Sequence, residues 1–359
     1  MQITSLTLHD YRNYEALHLS FDAGVQIFLG ANAQGKTNII EAVYYAAFGR
    51  SHRTTSDAEL IRVEKERAQI DMGVLRHGAA GTLTFAFARG TQRRILHAGV
   101  PIKQRDLVGL IPMVLFSPED LFLIKGAPAL RRRYLDAELS KASPAYYGEL
   151  LRYTHILKQR AALLKGLRER RVTLDALLPW DVHFSESAAR IAVRRIAAGE
   201  ALTMSYEMAG APAGLCAEKD DMTERLRLWY NEMLTVGRAR DIARAATGVG
   251  PHLDDIVLSV DGLHLRRFGS QGQQRTGALA LKLAELFYIA SHVGEMPVLL
   301  LDDVMSELDA ARRTALLSFI EEKGIQTFIT ATEASYFGEK RPGTYRHVAA
   351  GRIIKTQEQ

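Results

Sequence analysis

GANAQGKT occupies Gly30 to Thr37 and satisfies GxxxxGK[ST] at every constrained position. Before it runs VQIFLG, an apolar run that stops on glycine; after it runs NIIEAVYYAAFG, with helical length and spacing. Strand, glycine loop and helix is the setting a phosphate cradle requires. Glycines let consecutive backbone N–H groups turn inward on phosphates, Lys36 reaches the β and γ oxygens, and the Thr37 hydroxyl helps hold Mg²⁺. The candidate nucleotide-binding set is therefore Gly30, Ala31, Asn32, Ala33, Gln34, Gly35, Lys36, Thr37 and the adjoining Asn38.

Working outward, VLLLDD from Val298 to Asp303 is an apolar strand that delivers two carboxylates at its C-terminal end, where α/β sheets place their ligands. Asp302 is expected to hold the Mg²⁺ water shell, and Asp303 to orient or deprotonate an attacking water. Taken alone, the pair reads equally well as caps for the next helix. Earlier in the chain GSQGQQR, Gly269 to Arg275, feeds the helical run ALALKLAELFYIA and makes a second phosphate-binding turn. One active site has no obvious use for two such cradles.

The chain has 359 residues, 47% hydrophobic and 24% charged, enough for two domains with real cores. Its start alternates like a strand and has neither a basic leader nor a small-residue cleavage site, so no secretion signal is expected. Its apolar runs fall short of a membrane-spanning helix. The single cysteine, Cys216, excludes an internal disulfide and a cysteine-based zinc site, suits a reducing cytosol, and reads as buried filler. Net charge is +5, yet Lys125 to Arg171 alone holds 12 Lys plus Arg against 4 Asp plus Glu. That basic region is either a nucleic-acid footprint or a solvated helical face.

The first lobe reads as mixed α and β, with strands also at AQIDMGVL, GTLTFAFA and QRRILHAGV. Long helices follow. Tyr146, Leu150, Tyr153, Leu157, Ala161, Leu164 and Leu167 fall on one stripe, with Arg152, Lys158, Lys165 and Arg170 off it. LPWD is expected to break that helix, SAARIAVRRIAAGEALTMSY to start a second, and Met222 to Ala246 to form a third. Strands return at DIVLSVDG, LHLRR, PVLLLDD and QTFITAT, with a last pair near YRHVAAGRII. An α/β fold is thus interrupted by a helical insertion, with the head at 1–110 plus 247–359 and the arm at 111–246.

VLLLDDVMSELD resembles the Walker B strand and D-loop of ATP-binding-cassette ATPases, SELD being Ser306 to Asp309, and SQGQ, Ser270, Gln271, Gly272 and Gln273, resembles their signature motif. The motif order around an insertion is similar to that of structural-maintenance-of-chromosomes heads. Within that group LTLHDYRNY, AFGRSHRT, FSPEDLFLIKGAPALRRRYLD and GPHLDD resemble the RecF family of bacterial recombination mediators over nearly the whole chain. The resemblance implies an ATP-binding-cassette type P-loop ATPase head carrying an α-helical insertion domain, with ATP and Mg²⁺ as cofactors.

It also implies an answer to the two cradles. One subunit's signature clamps the γ-phosphate of ATP held on its partner's Walker A loop, giving an ATP-dependent homodimer. Where cassette transporters carry a glutamate and a switch histidine, this chain has Asp303 and Thr332, which implies slow hydrolysis. Phe116 to Glu119 stands where a glutamine loop is expected, and Arg12 and Asn13 are placed near the nucleotide or at a strand edge. His52 is open to phosphate or DNA. Arg131, Arg132 and Arg133 either contact DNA or pair with acids; Arg168, Arg170 and Arg171 are further DNA candidates.

The implied activity is a weak DNA-stimulated ATPase switch in cytoplasmic recombinational repair and replication. It would bind double-stranded and gapped DNA and help load RecA with RecO and RecR. A transporter motor subunit would favour a compact insertion, the Walker B glutamate and the switch histidine. A nuclease of the overcoming-lysogenisation-defect type would append a domain for which no room is expected after the last strand.

Overall fold

Alternating apolar and polar side chains at the start of the chain form β1 (Gln2–Tyr11) and β2 (Tyr14–Ser20), paired antiparallel, and VQIFL forms β3 (Val25–Leu29), buried at every position. Three strands therefore precede the glycine loop. The computed structural model describes residues 1–107, 109–202, 204–260, 262–338 and 342–354. Gly30 to Gly35 turns the chain into α1 (Lys36–Phe48), which ends on left-handed Gly49, whose N–H bonds Tyr45 O. β4 (Arg67–Arg76), β5 (Ala79–Ala88), β6 (Arg94–His97) and β7 (Val100–Pro101) complete an antiparallel sheet of order β2-β1-β4-β5-β6-β7. β8 (Met113–Phe116), wholly buried, follows.

Two units divide the chain: Met1–Asp120 with Glu285–Gln359, and Leu121–Ala284. The second unit opens with α2 (Leu121–Lys125), α3 (Pro128–Ala142) and α4 (Pro144–Arg168). On α4 the buried stripe is Tyr146, Tyr153, Ile156, Arg160 and Leu164. Leu150, Leu157, Ala161 and Leu167 are half-buried beside it. Arg160, which apolar spacing passed over, is fully buried and donates to Asp181 at 2.8 Å, Asp241 at 3.1 Å and Thr247 at 2.6 Å.

LPWD does not lie between helices. α5 (Leu178–Ala201) begins with it, because Pro179 sits in the first turn, where a missing N–H costs nothing. β9 (Ser205–Glu207) and α6 (Met222–Arg244) follow, then β10 (Asp255–Val257), paired antiparallel to β9. β11 (Ser259–Val260) and β12 (Leu263–His264) form a small hairpin. In LHLRR only the first two residues are strand; the rest opens α7 (Leu265–Phe268). α8 (Gln271–Val293) then crosses from the second unit into the first. The second unit therefore reaches through Ala284, past the 246 expected for the arm. Tight packing explains it: a Cβ on Gly277 would lie 2.4 Å from Leu265 and 3.3 Å from Ile124. Cys216 is half-buried against Met208 rather than buried filler.

Back in the first unit, β13 (Val298–Asp302), α9 (Ala310–Glu322), β14 (Thr327–Ala331), β15 (Thr344–Ala349) and β16 (Arg352–Ile354) finish the fold. The second sheet has order β16-β15-β3-β14-β13-β8, parallel from β15 to β8 with β16 antiparallel at the edge. A strand covered on both faces needs apolar residues throughout, which is why VLLLD and TFITA read as runs and not as alternations. One core joins Ile3, Leu6, Ile39, Val43, Ile70, Phe85, Leu300 and Phe328, so both sheets of this unit clamp α1. The register sets Asp302 opposite Thr330 and Leu29 opposite Ala331, bringing the phosphate loop and the acidic pair to the same sheet edge.

Candidate nucleotide site and signature helix

The loop from β3 to α1 can be built only with glycine at its ends. A Cβ on Gly30 would lie 2.3 Å from Val348 O, and one on Gly35, at φ +111°, 2.5 Å from Asn13 Nδ2. Lys36 Nζ donates to Gly30 O at 2.6 Å and Ala31 O at 2.8 Å. Asn13 Nδ2 donates to Gln34 O at 3.1 Å, and Tyr14 OH to Gly35 O at 3.0 Å. Burial draws the Lys36 pKa below the usual lysine value, with Asp303 and Asp302 opposing it.

At the end of β13, Asp302 Oδ1 accepts from Thr37 Oγ1 at 2.9 Å and Thr330 Oγ1 at 2.7 Å. The carboxylate is nearly buried, and burial raises its pKa although both hydroxyls pull the other way. Asp303 has a left-handed backbone, its N–H donates to Thr330 Oγ1 at 2.8 Å, and its buried Oδ1 has no hydrogen-bond partner among the described residues. Its pKa is also raised by burial, against the pull of Lys36. Hard oxygen donors from Thr37 and Asp302 beside a lysine-bearing loop fit a small divalent cation. The unpartnered Asp303 oxygen fits a group that handles water.

Arg12 is committed elsewhere. Its guanidinium is bidentate on the fully buried Glu41, at 2.9 and 2.7 Å, and reaches Glu59 O at 2.9 Å. Burial pushes the Glu41 carboxyl up, but bonds from Arg12 and Ser51 outweigh it and hold the carboxyl below the usual range. Arg53 bridges Glu41 and Asn38, while Asn38 Nδ2 donates to Asn13 Oδ1 at 2.8 Å. This brace under α1 was missed from sequence. Glu41, an acid on the apolar side of a helix, was the available signal.

His52 packs edge-on to Tyr44, and its Nδ1 is buried without a partner. Burial lowers its pKa, with Glu41, Asp302 and Glu119 among the charges felt. Ser306 Oγ donates to Asp303 O at 2.8 Å, and Asp309 caps α9 by accepting from Arg312 N at 2.9 Å. Thr332 follows β14 and reaches Tyr336 OH at 3.5 Å.

In the second unit, Ser270 Oγ accepts from Gln273 N at 3.2 Å while Gln273 Oε1 accepts from Ser270 N at 2.8 Å. The residues expected to form a turn ahead of the helix thus make the first turn of α8 itself, closed by a reciprocal capping box. Ser270, Gln271, Gly272 and Gln273 are all exposed. Inside the turn, buried Gln274 donates to Leu265 O at 3.1 Å and fixes the helix start.

Of the two readings open for Arg131, the structure shows the acid pair. Arg131 is buried and bidentate on Asp255, 2.8 Å at each nitrogen, so it braces α3 against β10 and presents no charge to a partner. Half-buried Arg132 donates to Asp254 O at 2.5 Å. Arg133, Arg168, Arg170 and Arg171 are exposed, Arg171 pairing with Glu169 at 2.9 Å.

The parallel sheet, the loop feeding α1 and the acidic pair on β13 define a P-loop ATPase head with a helical insertion. A family described as RecF/RecN/SMC N terminal domain matches residues 2–346. The DNA replication and repair protein RecF of Heliobacterium modesticaldum is 42% identical, covering 100% of both chains. That of Geobacillus kaustophilus is 42% identical over 92% of this chain and 93% of its own. A solved structure of the recombination mediator protein RecF-ATP in the RecFOR pathway is 33% identical with TM-score 0.88, covering 99% of this chain and 97% of its own. An SMC head bound to the C-winged helix domain of ScpA, 13% identical with TM-score 0.55 over 99% of this chain and 97% of its own, shares the fold. The chain belongs to the RecF family. Among the described residues no helix is long and apolar enough to cross a membrane.

Proposed function

We propose that this chain is an ATP-switched DNA-binding protein of recombinational repair and replication, acting in the cytoplasm. The observation that carries the reading is the convergence of Lys36, Thr37 and Asp302 on one sheet edge, with Asp303 beside them. ATP lies on Gly30 to Asn38, its phosphates receiving the loop's N–H groups and the Lys36 ammonium. Thr37 and Asp302 would hold Mg²⁺, which would neutralise phosphate charge. Asp303 orients the attacking water. An aspartate there, shorter than glutamate, and Thr332 after β14 favour slow turnover.

Exposed Ser270 and the N-terminus of α8 serve the partner's ATP: a hydroxyl, backbone N–H groups and the helix dipole meet its γ-phosphate. Two chains then close around two ATPs. The exposed cations Arg133, Arg168, Arg170 and Arg171 meet DNA phosphates, and DNA binding speeds hydrolysis by favouring the closed pair. Double-stranded DNA beside single-stranded gaps is the substrate, and RecR with RecO are the partners through which RecA is loaded. Light scattering with and without ATP and duplex DNA tests this: mass should double with ATP, and a chain that stays monomeric under every condition contradicts it.

A further inference from the structure

The turn between β15 and β16 lies against the phosphate loop. Gly351 N donates to Gln34 O at 3.1 Å, and Ala350 N donates to the Gln34 side-chain oxygen at 2.7 Å. The same Gln34 carbonyl accepts from Asn13 Nδ2 at 3.1 Å. The packing leaves no slack: a Cβ on Gly351, at φ +69°, would lie 2.5 Å from Asn13 O. Gln34 is thus gripped from two remote parts of the chain, the β1–β2 turn and the C-terminal hairpin.

We infer that Ala350, Gly351 and Asn13 position the peptide between Gln34 and Gly35 for phosphate binding. In a trans peptide the C=O and the following N–H point in opposite directions. With the Gln34 carbonyl held outward by two donors, the Gly35 N–H faces into the loop. The next peptide is held by the first turn of α1, where Gly35 O accepts from Asn38 N at 3.0 Å and Ile39 N at 3.3 Å, with Tyr14 OH adding a third donor at 3.0 Å, so the Lys36 N–H points away from the helix. Without the clamp, this glycine-flanked peptide is free to rotate and present its carbonyl to the anion, which repels it. The C-terminal hairpin is therefore part of the nucleotide site although it contributes no motif.

The inference rests on the ATP reading of the loop, and the test separates the two. A fluorescent ATP analogue is titrated into Gly351→Ala, Asn13→Ala and Lys36→Met, with turnover measured at saturating ATP. Gly351→Ala and Asn13→Ala should each weaken binding about three- to tenfold, the size of one net hydrogen bond. Turnover at saturation should be unchanged, because Asp302, Asp303 and Thr330 are untouched. Ala350→Gly keeps the N–H, suits the left-handed backbone and should retain parental affinity. Asn13 is exposed, so its variant will fold even if Gly351→Ala disturbs the hairpin. Parental affinity in Asn13→Ala and Gly351→Ala, with loss only in Lys36→Met, overturns the clamp. Turnover and thermal stability falling together with affinity also overturns it, in favour of general damage. Parental affinity in Lys36→Met as well removes the ATP reading itself.

Discussion

Thr330 Oγ1 lies 2.7 Å from Asp302 Oδ1, across the β13–β14 register that sets these two residues opposite each other. The same hydroxyl accepts the Asp303 amide at 2.8 Å, so one threonine orients both carboxylate-bearing residues. Among the described residues this buried carboxylate meets hydroxyls and no cation within hydrogen-bond reach, and burial raises its pKa. The folded chain therefore holds that proton more tightly than the unfolded chain does. Its stabilising contribution is complete below the ordinary aspartate pKa and is lost as pH rises through the raised, folded-state value.

Asp302→Asn should therefore be more stable than the parent at neutral pH and lose that advantage as pH falls. A higher Tm than the parent's is expected at neutral pH, with the difference closing at low pH. Calorimetric scans across pH check it, and a Tm difference independent of pH contradicts it. Hydrolysis should be lost in the same variant, a trade of stability against function.

Lys36→Met and Asp303→Asn should separate binding from chemistry. Removing the Lys36 cation should weaken ATP binding roughly 10- to 100-fold, the range for charge-assisted hydrogen bonds, while the fold survives. Asp303→Asn should still bind ATP and hydrolyse it more slowly, leaving a longer-lived dimer. Nucleotide titration and steady-state turnover read the two effects. Parental turnover in Asp303→Asn would remove that residue from the mechanism.

Ser270→Arg should abolish ATP-dependent doubling of mass while each monomer still binds ATP. Ser270 also caps α8, and loss of such a cap costs about 1 kcal/mol, so arginine confounds two effects. Ser270→Asp resolves them. It keeps the cap and the helix but sets a negative charge against the partner's γ-phosphate, so it should be stable, ATP-binding and monomeric. Mixing Ser270→Arg with Lys36→Met should restore one composite site per pair. Light scattering that shows Ser270→Asp still dimerising with ATP rules out the shared-site arrangement.

Reversing Arg168, Arg170 and Arg171 to glutamate tests the basic end of α4, where all three side chains are exposed. DNA affinity should fall, and the log–log salt slope should shrink by about 0.9 for each phosphate that is no longer neutralised. An unchanged slope and affinity returns this region to solvated surface. Arg131→Met should instead destabilise the second unit, because it strands Asp255 beside an apolar replacement.

The nucleotide loop, the acidic strand and the interrupted α/β order were legible because local rules fix each of them. Phosphate binding needs glycine at set spacings, and a doubly covered strand needs an unbroken apolar run. Long-range pairing was not legible. Arg131 and Arg168 look alike in sequence, yet only the fold brings Asp255 to Arg131, 124 positions away, and so removes its charge from the surface. Arg160 lies on a helical stripe that apolar spacing alone cannot predict, because Asp181 and Asp241 from two later helices satisfy it. Likewise the match of Gly30 to Thr37 to GxxxxGK[ST] is read from the sequence alone, but only tertiary structure set Gly351 against Gln34 and Thr330 against Asp302. Motifs follow from chemistry within a few residues; the partners that aim them are chosen by packing between segments far apart in sequence.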